Sequence, residues 1–211
     1  MLGSTEPCID IGKISRQSGV NGPGKRFVIW AQGCPFACAS CINEELWPKG
    51  KGTRMKVSDL YEVISRTPGI EGVTYSGGEP FEQADGLYHL GRRIKDHGLT
   101  LMSYSGYTLE EIRGSDDRFK ERLASILDIL IDGRYVKSLA SPLLWRGSSN
   151  QKVHFLSERY ETYKDRIDSA VVEMELSVDA VTDEVFMTGN LSRELLDDIR
   201  QRMGMLGLVM G

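Results

Sequence analysis

Three of the four cysteines of this 211-residue chain fall within eight positions, in the segment Gly33-Cys34-Pro35-Phe36-Ala37-Cys38-Ala39-Ser40-Cys41. The spacing is C-x3-C-x2-C, and it directly follows a short apolar, β-prone run, Phe27–Ala31. Three thiolates packed so closely on one loop suit three irons of a single cubane, leaving the fourth iron without a protein ligand. Electron-transfer ferredoxins recruit a fourth cysteine per cluster in other spacings, and structural zinc is usually closed by four ligands. Zinc, or an electron-transfer cluster completed by Cys8 or by one of the three histidines, stays open on the triplet alone. Cys8 by itself reads as a free thiol.

Composition narrows the class. Lys and Arg number 26 against 30 Asp and Glu, a formal net charge of −4, with 40% hydrophobic residues. This is ordinary for a globular protein and lacks the basic footprint of a nucleic-acid binder. No apolar run approaches a membrane span, and residues 1–20 show no apolar signal-peptide core. A cytoplasmic protein with no nucleic-acid or membrane partner is expected. Clustered cysteines in a reducing compartment point to metal or redox chemistry rather than to disulfides.

Apolar periodicity alternates between strand and helix. The stretch to about Gly24 is rich in Gly, Ser and Pro and reads as an irregular lead-in. Strands are expected at Phe27–Ala31, Gly72–Tyr75, Leu99–Tyr104 and Ile126–Ile131, and helices at Val57–Arg66 and Gln83–His97. A further helix opens at a capping box of Thr108 and Glu111 and ends near Leu123. This alternation predicts βαβ units and a mainly parallel sheet. After Arg134 a polar stretch, Ser138–Gln151, precedes two strand-like runs, Ala170–Val178 and Glu184–Thr188, which read as a hairpin around a turn at Asp179–Asp183. A last helix, Leu191–Met203, has Asn190 as its N-cap candidate, and residues 204–211 read as loosely held. The expected division is a core over 1–155 with its lead-in, and an extension over 156–211 packed on the same domain.

Several polar residues fall where strands end, which is where α/β folds gather ligand sites. Ser76-Gly77-Gly78-Glu79-Pro80 follows the second parallel strand; its glycines free the backbone to approach a ligand, and Glu79 offers an acceptor to an ammonium group. Asp132 ends the Ile126–Ile131 strand and suits a ribose hydroxyl, a cation or a substrate backbone, or simply an Asp-Gly turn. Arg26 could neutralise a cluster or bind a carboxylate, although solvated arginines are commoner. Arg146, Ser148, Ser149 and Asn150 concentrate donors in one loop, suited to a peptide backbone or a nucleoside. His89 and His97 lie on an expected surface helix, and His154 follows the donor-rich loop.

The C-x3-C-x2-C loop resembles the signature of the radical S-adenosylmethionine superfamily, and the segment Gly77-Gly78-Glu79-Pro80 resembles its GGEP element. Many members carry an aromatic residue where this chain has Ser40. The segment Asn21–Arg26 with Gln32-Gly33-Cys34 is similar to the entry of glycyl-radical-enzyme activases. The resemblance is sharper to the activating proteins of anaerobic (class III) ribonucleotide reductases. It rests on Asn43 and Trp47 after the third cysteine, Ser105-Gly106-Tyr107, Ile131–Val136 and the run Trp145–Gln151, and it covers roughly residues 21–155.

The resemblance implies an incomplete (β/α) barrel of the radical S-adenosylmethionine type, with a C-terminal hairpin and helix appended. It implies a [4Fe–4S] cluster on Cys34, Cys38 and Cys41. S-adenosylmethionine would be bound by Gly77, Gly78, Glu79, Pro80, Ser105 and Asp132. The implied activity is a radical oxidoreductase that generates a glycyl radical on a large partner enzyme, with flavodoxin or ferredoxin as reductant and Arg146, Ser148, Ser149 and Asn150 toward the partner. A stand-alone radical enzyme acting on a peptide or small molecule is the alternative, and an iron–sulfur carrier or sensor the non-enzymatic one.

Overall fold

The computed structural model describes residues 6–169, 171, 173–178, 185–189 and 193–205. Seven strands form one sheet in the order β3-β1-β2-β4-β5-β6-β9. Its centre is parallel: β2 (Arg26–Ala31), β4 (Gly72–Gly77), β5 (Thr100–Tyr104) and β6 (Ile129–Asp132). Antiparallel strands flank it, with β1 (Cys8–Ser18) and β3 (Thr53–Lys56) on one side and β9 (Lys152–Phe155) on the other.

The lead-in is therefore a strand, not irregular chain. Ile9 and Ile11 are buried on alternate positions, a period-two signal outweighed in the sequence by the neighbouring Gly and Ser. Strands β3 and β9 were likewise not anticipated. Helices α1 (Val57–Ser65) and α2 (Ala84–Asp96) follow their expected positions. The expected third helix is two, α3 (Leu109–Arg113) and α4 (Arg118–Ala124). Thr108 and Glu111 close a full capping box on α3, whereas Asp117 starts α4 afresh by accepting from Phe119 N at 2.9 Å. Ile126 and Leu127 donate their amides to Leu123 and Ala124, completing the end of α4, so β6 starts later than the apolar run does.

Alternation on the parallel strands sorts the two faces of the sheet. Phe27, Ile29, Val73, Tyr75, Leu101 and Leu130 pack on one side with Leu60 and Ile64 of α1, Leu87, Leu90 and Ile94 of α2, and Leu123 of α4. The other side carries Met102, Ile129 and Ile131, covered by Leu144, Trp145 and Tyr160. Each fully buried Leu or Ile contributes about 1.5–3 kcal/mol.

The stretch 138–151 is not featureless: β7 (Ala140–Leu143) pairs antiparallel with β8 (Arg146–Ser148). Farther on, β10 (Met174–Val178) pairs antiparallel with β11 (Val185–Gly189), and α5 runs over Arg193–Met205. The expected turn at 179–183, the Asn190 cap and residues 206–211 lie outside the described residues. Among the described residues no helix is long and apolar enough to cross a membrane.

Candidate metal centre and cofactor cavity

The cysteine loop leaves the carboxyl end of β2 and is pinned at its base. Gly33 N donates to Leu46 O at 2.8 Å and Cys34 N to Trp47 O at 3.0 Å. Gln32 Nε2 donates to Pro48 O at 2.8 Å. Between these anchors Ala37 and Ser40 take left-handed φ values of 46° and 63°, a strain that persists where surroundings over-determine the backbone.

Cys34, Cys38 and Cys41 are half-buried and are not disulfide-bonded among the described residues. Donors point at two of these sulfurs, those of Cys41 and Cys34: Asn43 N lies 3.4 Å from Cys41 Sγ. Burial pushes the Cys41 thiol up, while the Asn43 amide and the Trp47 indole oppose it; Cys34 is likewise pushed up by burial, against the Phe36 and Ala37 amides. N–H groups directed at thiolate sulfur are the hydrogen bonding that tunes protein-bound iron–sulfur clusters, so these residues fit such a group. Among the described residues no three Cys, His, Asp or Glu side chains gather as tightly as one metal ion requires.

The Gly-Gly turn after β4 docks on that loop. Gly78 N donates to Ala31 O at 2.8 Å and Glu79 N to Gly33 O at 2.9 Å. Gly77 has φ +106°, and a Cβ there would fall 2.4 Å from Ala31 N; one on Gly78 would fall 2.4 Å from Gly33 O. Close backbone approach therefore demands both glycines.

Glu79 is 1% exposed, and its carboxylate accepts from Phe81 N at 2.9 Å, Ser105 Oγ at 2.9 Å and Gly106 N at 2.6 Å. Burial raises its pKa to about 7 against these donors. Pro80 is buried at the start of a short 3-10 turn, Pro80–Gln83. Asp132 is buried as well, accepting from Leu109 N at 2.7 Å, with His154 Nε2 at 2.8 Å but off the line of a good hydrogen bond. Burial raises the Asp132 pKa, but His154 and the Leu109 amide outweigh it and hold the carboxyl below its usual range.

A cavity of about 200 Å3 opens beside this edge, lined in part by Trp30, Cys41, Ser76, Gly77, Tyr104 and Tyr135. Trp30 pairs with Ser76 across the β2–β4 ladder, so both point off the same face at the strand ends. Of the other expected residues only Arg146 lines it. Arg146 Nη2 bonds Asp168 at 2.7 Å and also Ile167 O, its Nη1 bonds Gln151 O at 3.1 Å, and its buried Nε has no partner among the described residues. Ser148 Oγ accepts from Val136 N at 3.3 Å, Ser149 N donates to Leu139 O at 2.9 Å, and Asn150 Nδ2 donates to Arg134 O at 2.8 Å. Most of the donor-rich loop is thus spent on folding back over residues 134–139. Trp30, Tyr104 and Tyr135 went unrecognised as lining residues, although period-two alternation to the ends of β2 and β5 could have found the first two.

Arg26 sits at the opposite end of the sheet, fully buried, donating to Thr74 Oγ1 at 2.6 Å, Val73 O at 2.7 Å and Thr100 Oγ1 at 3.1 Å. It opens β2, whereas the cysteines follow the strand's other end, so neither a cluster nor solvent is its environment.

The chain is similar to several known proteins. A family described as a 4Fe-4S single cluster domain matches residues 20–154. The anaerobic ribonucleoside-triphosphate reductase-activating protein of Escherichia coli (strain K12) is 30% identical over 149 residues, 65% of this chain and 92% of that protein. Its counterpart in Vibrio cholerae is 31% identical over 147 residues, 64% of this chain and 90% of that protein. The one in Enterobacteria phage T4 is 31% identical over 142 residues, 64% and 86% respectively. Among solved structures, QueE from Escherichia coli aligns with a TM-score of 0.41 at 22% identity, covering 48% of this chain and 53% of QueE. The chain carries a 4Fe–4S single cluster domain and belongs to the family of the anaerobic ribonucleoside-triphosphate reductase-activating proteins.

Proposed function

We propose that this chain is a radical activase that cleaves S-adenosylmethionine reductively and generates a glycyl radical on a large partner enzyme, an anaerobic ribonucleotide reductase. The observation that carries the reading is the three-cysteine loop hydrogen-bonded through Gly33 to the Gly77-Gly78-Glu79 turn, in a chain that covers 92% of a relative with this activating role. Cys34, Cys38 and Cys41 would hold a [4Fe–4S] cluster. Bound together, the cluster and S-adenosylmethionine supply one-electron cleavage of a carbon–sulfur bond and abstraction of a hydrogen atom.

The chain's own residues do the positioning. Gly77 and Ser76 bring bare backbone and a hydroxyl to the cavity wall beside Cys41. Glu79 and Ser105 act from behind that wall, joining the turns after β4 and β5 so that the ligand's amino group meets a preorganised edge. Trp30, Tyr104, Tyr135 and Trp145 line the same cavity and keep water from a reactive intermediate. Asp132 holds the start of α3 at the same edge. Flavodoxin or ferredoxin is the proposed electron donor, and the cytoplasm the proposed compartment.

The test is anaerobic reconstitution with iron and sulfide, reduction by dithionite, and addition of S-adenosylmethionine. Formation of 5′-deoxyadenosine, and a glycyl doublet by electron spin resonance when the reductase subunit is added, is the expected result. A reconstituted protein that binds four irons and yields no 5′-deoxyadenosine defeats the proposal.

A further inference from the structure

The family match ends at residue 154, yet the chain beyond it builds part of the cavity. Glu173, Met187, Thr188 and Gly189 line it together with Cys41 and Gly77. The β10–β11 ribbon is latched to the segment before β2. Glu175 accepts from Ser18 Oγ at 3.1 Å and Gly19 N at 2.7 Å, and Asn21 Nδ2 donates to Thr188 Oγ1 at 2.9 Å.

Glu175 and Thr188 are direct cross-strand partners, so they leave the ribbon on one side, the side facing residues 18–21. Alternation puts Met174 and Leu176 on the other side, and Leu176 stands directly opposite Met187. Met174 and Leu176 are 45% and 49% exposed, whereas Met187 is half-buried at the cavity. An apolar stripe thus runs from open surface to the wall of the cavity that holds Cys41. A small ligand enclosed in the cavity would leave the outer part of that stripe uncovered. A polypeptide whose tip enters the cavity, with its flanks lying on the ribbon, covers both parts, and pliant methionines suit irregular peptide surfaces.

We infer that the β10–β11 ribbon is the docking surface for an extended apolar segment of the partner protein, laid on Met174, Leu176 and Met187 so that its reacting residue enters the cavity. This rests on the activase reading for the identity of the partner.

The test measures binding of the full-length protein to the immobilised large subunit of the same organism's anaerobic ribonucleotide reductase. The parent is compared with Met174→Asp/Leu176→Asp and with Met174→Ser/Leu176→Ser, which removes the apolar surface without adding charge. Circular dichroism checks that each pair stays folded. At least a fivefold rise in Kd is expected for both pairs, with a matching fall in glycyl-radical yield. A smaller rise for either folded pair, or no measurable binding by the parent, overturns the inference. Formation of 5′-deoxyadenosine by the parent without partner reads the activase chemistry separately, so failure there leaves the binding comparison interpretable.

Discussion

Ser105 donates its hydroxyl to Glu79 Oε1 at 2.9 Å, fastening the turn after β5 to the turn after β4. Glu79 is fully buried and its pKa is about 7, above the ordinary carboxyl value of 4.5. The native state therefore holds this proton more tightly than the unfolded chain does, and stability falls as pH rises through that window. At about 1.36 kcal/mol per pKa unit, the loss between pH 4.5 and 7 is roughly 3 kcal/mol. Urea unfolding of the metal-free protein at pH 5, 6, 7 and 8 reads it, with Glu79→Gln expected to flatten the slope. A parent stability that climbs across the same range contradicts this account.

Gly77 occupies φ +106° with Ala31 N and O at 2.4 and 2.6 Å from where a Cβ would lie. Gly77→Ala combines left-handed strain with a backbone overlap that no flexible side chain can relieve. The expected cost is about 3 kcal/mol or more, seen as a lower midpoint in chemical unfolding. Gly98→Ala is the control: its φ is +84° but its Cβ would meet nothing within 4 Å, so it should lose less, about 1 kcal/mol.

The parallel strands, α1, α2 and the capping box were legible because each depends on local periodicity and chemistry. The cysteine loop was legible for the same reason, since its three thiols sit within eight residues. The flanking strands were not. Strand β9 owes its place to pairing with β6, a register (Ile129 with Phe155, Ile131 with Val153) that no local pattern announces. Glu79 reads in sequence as a free acceptor beside two glycines; only the fold shows Ser105 and Gly106 arriving to occupy it. Arg26 was misjudged similarly, because its acceptors Thr74 and Thr100 lie 48 and 74 positions away.

Cys8 opens β1 opposite Lys56 in the β1–β3 ladder, its thiol directed at Glu6 O at 3.7 Å. It belongs to a ladder, whereas the other three cysteines share one loop. Cys8→Ser should therefore retain the iron and the visible absorption of the reconstituted protein. Cys34→Ser, Cys38→Ser and Cys41→Ser should each lose most of both. Loss of iron in Cys8→Ser would make it the fourth ligand and close the site to any small molecule.

Asp128 is 3% exposed and accepts from Lys95 Nζ at 2.8 and 2.9 Å, Leu101 N at 2.8 Å and Ser157 Oγ at 2.8 Å. One carboxylate thereby ties α2, β5 and the chain after β9 together. Burial raises its pKa, but Lys95 and the Leu101 amide outweigh burial and hold it below the ordinary value. With a depressed native pKa, its contribution is present at neutral pH and is lost as pH falls below the usual carboxyl range. Lys95→Met keeps the stem and strips the cation, leaving a buried carboxylate with neutral donors only. The expected cost at pH 7 is about 3 kcal/mol, shrinking toward zero by pH 3, where protonation removes the stranded charge. The gap between parent and variant in chemical unfolding, followed down in pH, measures it; a gap that stays constant to pH 3 would show that Lys95 stabilises by packing rather than by charge.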